Sequence, residues 1–354
     1  MALPFFNGVK TKDQTVSVDL GGRTTKAVQI QRKGSGFVLS GFALLDAPVF
    51  EKTISPEMLS EHLKNVCQAL GVKPKAVTLA VGVNDSLVRH AELPLMPVDD
   101  MRQILKINSK SYLQQELIGY VFDCHVFVGD ANQKSAASTP GAVPKIKVLA
   151  AGAKRQFIDD LHSGVKRANL GIDAIVPAVI GPINAFELAM PENFAGQIVA
   201  LVDIGFKSTS ISILHQGDLI LNRVVNIGGD RLTAGLAEAM NVGYAEAEGI
   251  KVGMPTEVQS QLEALMMPLG RELRASIDFF EHQREKSVPQ VLVSGASARS
   301  ELILQILQSE LSIECKPWNP AAAFELQLPA QQAGEFENVA PQLTVAIGAA
   351  LAAI

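Results

Sequence analysis

A pattern that occurs twice constrains the fold of this chain more than any other feature of its sequence. In each copy an apolar strand runs into an Asp-x-Gly turn and a second strand follows; the turns are Asp19-Leu20-Gly21 and Asp203-Ile204-Gly205, 184 residues apart. A third alternating strand follows at Phe37–Phe42 and at Leu219–Ile227. Because strands joined by short turns pair as hairpins, each copy predicts three antiparallel strands. The repeat predicts two similar α/β units.

The length supports a division into two domains. A chain of 354 residues exceeds what one hydrophobic core usually covers, and 47% hydrophobic with 19% charged residues is a composition that folds. We expect a first domain over residues 1–198, a second over 199–340, and a terminal helix over 341–354 that returns to the first domain. Residues 87–170 are predicted as a compact insert in the first domain, and residues 230–287 as a helical subdomain of the second.

Three local features predict irregular backbone. Gly129–Pro144 is rich in Ala, Ser, Gly and Pro, and Pro329–Pro341 is polar, so both are predicted to be loops. Pro268-Leu269-Gly270 lies inside the long helical pattern Thr256–Glu285, and a proline removes a helical hydrogen bond. A break in that helix is therefore expected at this point.

Charge and cysteine content argue against several classes of protein. The net charge is −5 and no long run of Lys or Arg occurs, so nucleic acid and a bare anionic membrane are poor candidates for partners. The three cysteines are widely spaced and form no CxxC, which argues against a disulfide framework and against zinc, and fits a reducing cytosol.

No segment is predicted to direct the chain to a membrane or to span one. The apolar start Leu3–Phe6 is too short for a signal peptide and follows no basic region. The apolar run Leu343–Ile354 has 12 residues, whereas a spanning helix needs about 20. We expect this run to be a buried terminal helix.

The first Asp-x-Gly turn offers the groups that bind phosphate. Asp19–Lys26 is a tight, glycine-permitted bend whose successive backbone N–H groups form a nest for anionic oxygens. Lys26 returns along the next strand, where its ammonium can approach the same phosphates. Asp19 would repel phosphate directly but can act through a Mg²⁺ ion and its water shell. The residues assigned to this nest are Gly21, Gly22, Arg23, Thr24 and Lys26.

The second turn repeats these groups from another part of the chain. Its aspartate, Asp203, is again predicted to act on Mg²⁺ through water. A single Asp-x-Gly is an ordinary turn sequence, but two copies that each begin a hairpin favour a clamp that closes on one nucleotide. The residues assigned to this second nest are Gly205, Phe206, Lys207, Ser208 and Thr209.

Three further segments are candidates for contacts with the rest of a nucleotide. Gly228-Gly229 opens a helix whose N–H groups would face an anion, although the same residues fit a plain strand-to-helix turn. Glu248 and Lys251 share one helix face, either as a surface ion pair or as contacts to a ribose and a base. Gly295-Ala296-Ser297 follows a strand with small residues that let a flat ligand approach. The chain contains neither GxxxxGK[ST] nor GxGxxG, which argues against P-loop and Rossmann sites.

Taken in order, these segments resemble the actin-like ATPase superfamily, and most closely the PilM family of type IV pilus assembly proteins with its relative, the division protein FtsA. Two phosphate motifs, an A-E-x-x-K adenosine helix, a closing adenosine motif and the start of the insert carry the resemblance, which spans almost the whole chain. They correspond to Asp19–Lys26, Asp203–Thr209, Ala247–Lys251, Val293–Asn319 and Arg89–Pro94. The insert also comes where PilM and FtsA carry their special subdomain.

The resemblance implies an α/β fold of the actin-like ATPase type, with two duplicated domains around a cleft and an FtsA/PilM-type inserted subdomain. It implies ATP and Mg²⁺ as cofactors, with Glu248 on the ribose and Lys251 packed on the base. It also implies a cytoplasmic scaffold of the pilus assembly platform, peripheral at the inner membrane. Its partner there would be the N-terminal cytoplasmic tail of a PilN-like protein, bound between the first subdomain and the insert. The sequence leaves self-association open.

The sequence departs from the family pattern at three places. The closing motif has Gly295-Ala296 where Gly-Gly is usual, and the first turn has Gly22 where Ser is common. The connecting segment Ile175–Asn184, where hydrolysing relatives tend to place a carboxylate or an amide, has only Asn184 as a polar residue. We therefore assign no catalytic residue and expect a slow ATPase at most. Two alternatives stay open: a scaffold that no longer binds nucleotide, and a small-molecule kinase, whose Asp general base is absent from this segment.

Overall fold

The computed structural model describes residues 12–51, 53–127 and 145–354. The start of the chain, on which the expected absence of a signal peptide depends, and the loop predicted at Gly129–Pro144 lie outside these ranges. Among the described residues no helix combines the length and the apolar character needed to cross a membrane.

The described residues form fourteen strands and eleven α-helices. The strands are β1 (Gln14–Asp19), β2 (Thr24–Lys33), β3 (Gly36–Asp46), β4 (Ala76–Val81), β5 (Ser86–Pro94), β6 (Tyr120–Val126), β7 (Lys145–Lys154), β8 (Gly171–Pro177), β9 (Ile198–Ile204), β10 (Thr209–His215), β11 (Asp218–Val225), β12 (Gln290–Ser294), β13 (Glu314–Pro317) and β14 (Phe324–Leu326). The helices are α1 (Pro56–Leu70), α2 (Val98–Leu113), α3 (Arg155–Arg167), α4 (Ile180–Ala189), α5 (Pro191–Gly196), α6 (Gly229–Met240), α7 (Tyr244–Gly253), α8 (Gln259–Arg284), α9 (Glu301–Leu311), α10 (Ala330–Val339) and α11 (Thr344–Leu351).

Two sheets repeat one topology. The first has the order β14-β3-β2-β1-β4-β8 and the second the order β11-β10-β9-β12-β13. In each, the Asp-x-Gly hairpin gives three antiparallel strands, and two parallel strands continue the sheet on the other side. The internal repeat predicted from the two turns is therefore present as a repeat of strand order and direction. We call the two sheets with their helices the first unit and the second unit.

The insert is a sheet of its own in the order β5-β7-β6, covered by α2. Its core includes Leu93, Met101, Leu105 and Val148, all buried. Helix α3, which the sequence groups with the insert, instead packs its buried face against α1 in the core of the first unit.

Helix α1 has the boundaries that its end residues predict. Ser55 caps its start, because the Ser55 hydroxyl accepts a hydrogen bond from the Met58 N–H at 3.2 Å. Gly71 ends it with φ of +68°, a left-handed conformation that glycine adopts without strain. Between them Leu59, Leu63 and Val66 are fully buried, and this packing holds the helix on the first sheet.

Helix α8 runs unbroken through Pro268, so the predicted break is wrong. The buried side chains of Leu262, Met266, Leu269 and Leu273 keep one apolar face on the second sheet across the proline. Burying each such side chain contributes about 1.5–3 kcal/mol, whereas an interior proline costs about 3 kcal/mol. The packing of the face outweighs the missing hydrogen bond.

The chain returns to the first unit before residue 341. Strand β14 pairs in parallel with β3, so the crossing is complete by Phe324. The polar segment Pro329–Pro341, predicted to be a loop, contains helix α10, because the buried Phe336 packs its ring 5.7 Å from that of Phe42. Helix α11 is buried throughout and packs on α4 and β1, which confirms the expected buried terminal helix.

Four of the described histidines have a pKa lowered mainly by burial. His90 of the insert also donates its Nε2–H to the Leu219 carbonyl of the second unit at 2.8 Å, and that bond joins the two. A pKa below the unfolded value of about 6.5 means that the unfolded chain binds more protons as the pH falls. The four are His62, His90, His125 and His215.

The free energy of unfolding is therefore expected to decrease as the pH is lowered from about 7.5 to about 5.5. Chemical denaturation at several pH values measures this dependence. His62→Asn and His90→Asn should each flatten it, because each removes one proton-binding group that is favoured in the unfolded chain. Stability that is constant over this range, or an unchanged slope in both variants, would contradict the prediction.

Candidate functional site

A cavity of about 810 Å³ lies between the two units, where both Asp-x-Gly turns meet. This volume is in the usual range for a small-molecule site, about 300–1,000 Å³. Seventeen of the nineteen predicted site residues line it: Asp19, Gly21, Gly22, Arg23, Thr24, Lys26, Asp203, Gly205, Phe206, Lys207, Ser208, Gly229, Glu248, Lys251, Gly295, Ala296 and Ser297. We call this cavity the cleft.

Thr209 and Gly228 do not line the cleft but build its second turn. The Thr209 hydroxyl donates to the Ile227 carbonyl at 2.7 Å, which fixes the strand that leads into Gly228. A Cβ on Gly228 would lie 2.6 Å from the Gly205 carbonyl oxygen, so only glycine permits this close approach.

The first N–H groups of helix α6 are used inside the protein. The Gly229 N–H donates to the Gly205 carbonyl at 3.0 Å, and the Asp230 N–H donates to the Phe206 carbonyl at 2.9 Å. These bonds satisfy helix-end donors that otherwise need a partner. These two N–H groups are thus already satisfied, as in a strand-to-helix turn, while Gly229 itself lines the cleft.

Asp19 and Lys26 form a pair in the wall of the first turn. They are direct partners in the β1–β2 register, and Lys26 Nζ lies 3.0 Å from Asp19 Oδ2. Burial acts to lower the pKa of Lys26, but the attraction of Asp19, with a smaller contribution from Asp203, outweighs it and raises the pKa above its ordinary value. Lys26 is thus a fixed positive charge beside the cleft, as binding of phosphate requires.

Asp203 is a half-buried carboxylate next to the end of β9. Burial raises its pKa, and the charge of Asp19 adds to this, while a hydrogen bond from Ser294 and the charge of Lys26 oppose it. The Ser294 hydroxyl donates to Asp203 Oδ1 at 2.8 Å. Ser294 has no sequence signal, because its place beside Asp203 depends on the parallel register of β12 with β9.

The two carboxylates fit a magnesium ion held through water. Asp19 and Asp203 both line the cleft, and the charge of Asp19 acts against the ionised form of Asp203, so a cation between them would be stabilised. Within the described ranges no three His, Cys, Asp or Glu side chains converge to hold a metal directly. Mg²⁺ commonly keeps several waters and uses one or two carboxylates together with phosphate oxygens. The donor set present suits that mode.

Glu248 and Lys251 form a half-buried network in the opposite wall. Lys251 Nζ lies 2.7 Å from Glu248 Oε2 and donates to the Thr233 hydroxyl at 2.6 Å; Thr233 also donates to Glu248. Burial acts to raise the pKa of Glu248, but the hydrogen bonds from Lys251 and Thr233 outweigh it and lower the pKa. The pair is thus fixed in the cleft and is not a solvated surface pair. Thr233 was missed because sequence alone does not place α6 beside α7.

The backbone conformation at position 295, the start of the closing motif, requires a glycine. Its φ is +88°, and a Cβ there would clash with the carbonyl of Ile204. Its N–H donates to the Pro341 carbonyl at 2.9 Å. Ala296 follows in the cleft wall, so the methyl group that departs from the usual Gly-Gly of the family lies at the site.

Asn184 does not reach the cleft. Its side-chain amide donates to the Gly348 carbonyl at 3.0 Å, which fastens α4 to α11. Two polar side chains that sequence reasoning missed, Asp85 and Gln342, line the cleft on the side of the first unit. Both come from segments without a motif, and only the folded arrangement brings them to the cleft.

Solved structures share this architecture. A structure described as the PilM-PilN type IV pilus biogenesis complex matches with a TM-score of 0.82 and 19% identity, over 98% of this chain and 100% of that chain. MreB5 of Spiroplasma citri bound to AMPPNP matches with a TM-score of 0.52 and 11% identity, over 96% and 95% of the two chains. These matches confirm the α/β fold of the actin-like ATPase type.

Sequence comparisons give the family. The cell division protein FtsA of Agrobacterium fabrum is 24% identical over 246 residues, which are 66% of this chain and 53% of FtsA. The chain thus spans about half the length of that relative. A family model for the type IV pilus assembly protein PilM matches residues 17–354. Since that match covers nearly the whole chain, the chain belongs to the PilM family of type IV pilus assembly proteins.

Proposed function

We propose that this protein is a cytoplasmic ATP-binding scaffold of the type IV pilus assembly platform, peripheral at the inner membrane through a PilN-like partner. The observation that carries the proposal is the cleft, in which two duplicated turns with paired aspartates face one helix bearing Glu248 and Lys251. Membership of the PilM family supports the place in pilus assembly.

The two units would bind different parts of one nucleotide. The backbone turns and Lys26 would hold the phosphates, and Asp19 with Asp203 would hold Mg²⁺ through water. Bound Mg²⁺ would neutralise phosphate charge. Glu248 would accept hydrogen bonds from the ribose hydroxyls, and the Lys251 stem with Gly295–Ser297 would border the base.

Hydrolysis is proposed to be slow. Asn184, the single polar residue of the connecting segment, is already engaged with helix α11 and does not face the cleft. Without a carboxylate or an amide from this segment, an attacking water lacks the orientation that the segment would supply, and general-base catalysis typically contributes a factor of about 10²–10⁴. Binding and domain closure, more than turnover, would then carry the function.

A second cavity is the candidate site for the partner tail. It has a volume of about 260 Å³ and is lined by residues of the first unit and of the insert. The family resemblance implies a groove for the partner tail between the same two parts. Its walls are mostly apolar, with His162 and Asp173 as polar groups, and Lys12 pairs with Asp173. We call it the groove. Its apolar walls include Val121, Ala151, Ile158, Ile172 and Ile175.

The groove and the cleft share a wall. Val81 lines both cavities. Asp85 lines the cleft, whereas its neighbour Ser86 lines the groove. On helix α3, Phe157 lines the cleft and Ile158 lines the groove. A nucleotide that binds the closed form more tightly shifts the population toward closure. Because the same parts of the chain contribute to both walls, closure would also change the shape of the groove.

A peptide with the cytoplasmic tail sequence of the PilN-like protein from the same genome is expected to bind this chain, and Val121→Asp is expected to weaken binding more than tenfold. An aspartate in an apolar groove would be buried without a partner when the peptide binds. Titration calorimetry with and without Mg-ATP measures both effects.

Ile118→Asp is the matched control, because Ile118 is 84% exposed on the same insert and does not line the groove. It should bind the peptide as the wild type does. Failure of the wild type to bind at high micromolar concentration, with and without ATP, would count against the partner. Equal binding by Val121→Asp would count against the groove.

A further inference from the structure

An ion pair crosses the cleft. Arg23 Nη1, from the first turn, lies 3.2 Å from Glu248 Oε1 on helix α7 of the second unit. The Arg23 guanidinium carbon also lies 5.7 Å from the centroid of the Phe206 ring, in the second turn. A single side chain of the first unit thus contacts two parts of the second unit across the cleft.

The two oxygens of Glu248 have different partners. Oε2 accepts from Lys251 and from Thr233, all within the second unit. Oε1 faces Arg23. A ribose that hydrogen-bonds to this carboxylate must therefore compete with Arg23 for Oε1, since Oε2 is already held by two donors.

The chemistry of Arg23 suits a second partner in the same cleft. A guanidinium has five donors in a planar fork, which matches phosphate oxygens in two places at once. Arg23 belongs to the same turn as the backbone groups that would hold the phosphates, and its side chain is 44% exposed, so it can reorient without unpacking a core.

We propose that Arg23 makes the cleft selective for a nucleoside triphosphate by exchanging partners. Without ligand it binds Glu248 and keeps the two units together; when a ribose takes Glu248, Arg23 is released and binds the terminal phosphate. A ligand without that phosphate, such as ADP or adenosine, breaks the pair and gains no replacement for it. This inference rests on the proposed nucleotide site and adds the group that discriminates among nucleotides.

Arg23→Gln is expected to reduce the preference of the cleft for Mg-ATP over Mg-ADP and adenosine. Mg-ADP and adenosine should bind several-fold more tightly than to the wild type, because Glu248 is free. Mg-ATP should lose affinity, so that the ratio of ATP to ADP affinity falls by about tenfold or more, the scale of one charge-assisted bidentate contact. Arg23→Lys should give an intermediate ratio. Titration calorimetry of the full chain measures all three ligands.

Arg32→Gln is the matched control. Arg32 lies on strand β2, which follows the turn that carries Arg23, and places its guanidinium 5.3 Å from the Phe37 ring centroid, but it does not line the cleft. Its ratio of affinities should equal that of the wild type. A second measurement needs no ligand: the radius of gyration from small-angle X-ray scattering should increase in Arg23→Gln and not in Arg32→Gln.

The possible failures are distinct. A wild type that binds none of the three ligands would overturn both the nucleotide site and this inference. A wild type that binds ATP, together with an Arg23→Gln variant whose ratio of ATP to ADP affinity is unchanged, would overturn the exchange alone. An equal ratio shift in Arg32→Gln would also overturn it, because the effect would then be one of net charge.

Discussion

Asp203→Ala is expected to lower the affinity of this protein for Mg-ATP by about 10- to 100-fold, the usual effect of removing a group that holds a metal through its outer shell. Asp203 lies next to the end of the strand that enters the second turn, half-buried in the cleft wall and near enough to Lys26 for their charges to interact. Without its carboxylate, a hydrated Mg²⁺ between the turns keeps only Asp19. Titration calorimetry of wild type and variant with Mg-ATP measures the change.

Loss of fold would not explain that result. Burial raises the pKa of Asp203, so the ionised carboxylate is less stable in the folded chain than in water, and its removal should leave thermal unfolding near that of the wild type. With EDTA in place of Mg²⁺ the two proteins should bind ATP with similar affinity. Asp278→Ala, which removes a half-exposed carboxylate paired with Arg274 on α8, should bind as the wild type does. Equal heat from wild type and Asp203→Ala, or none from both, would exclude the proposed site and favour a nucleotide-free scaffold.

Gly348→Ala is expected to cause a larger loss of stability than a methyl group added at any other glycine in the described ranges. A Cβ at Gly348 would clash with the carbonyl of Gly181, and a Cβ at Gly181 would lie 2.7 Å from the carbonyl oxygen of Val345. Helices α4 and α11 thus cross backbone to backbone, in the core that also joins them to the first sheet. Overpacking of this kind costs about 1–3 kcal/mol, occasionally more, and a contact with rigid backbone lies at the upper end.

Gly334→Ala is the matched control for that variant. Gly334 lies inside helix α10, and nothing comes within 4 Å of a Cβ placed there. Alanine should stabilise this position by about 0.5–1 kcal/mol, because glycine loses more backbone entropy in a helix. Urea denaturation of both variants gives the comparison. A Gly348→Ala protein as stable as the control would show that the two helices can move apart at no cost.

The repeated hairpins could be read from the sequence because their signals are local. Alternation of apolar and polar residues predicts strands, and Asp-x-Gly predicts the turn between them. These local patterns predict the two units but not how the units are arranged. Helix α10 was missed because its pattern is polar and a single buried side chain, Phe336, anchors it. The helix break predicted at Pro268 was wrong because packing of the buried face of α8 outweighs the local penalty of the proline.

The cleft shows the same difference between residues placed by local signals and residues placed by tertiary packing. Residues in the duplicated turns could be assigned because the motif itself carries them, and most of them line one cavity. Ser294 and Thr233 could not, because each is placed by the pairing of distant strands or the packing of two helices. The acceptor of the Gly229 N–H could not be predicted, since an exposed helix end and one satisfied by a neighbouring carbonyl have the same sequence.

The path of the chain limits how the two units can move. It passes from the first unit to the second between β8 and β9 and comes back between β13 and β14, so two covalent connections join them. Two bodies linked at two separate points cannot slide apart freely; the motion left to them is mainly rotation about the line through both links. Opening at the mouth of the cleft would then be a change of angle, with the largest displacement farthest from the links and the least near them.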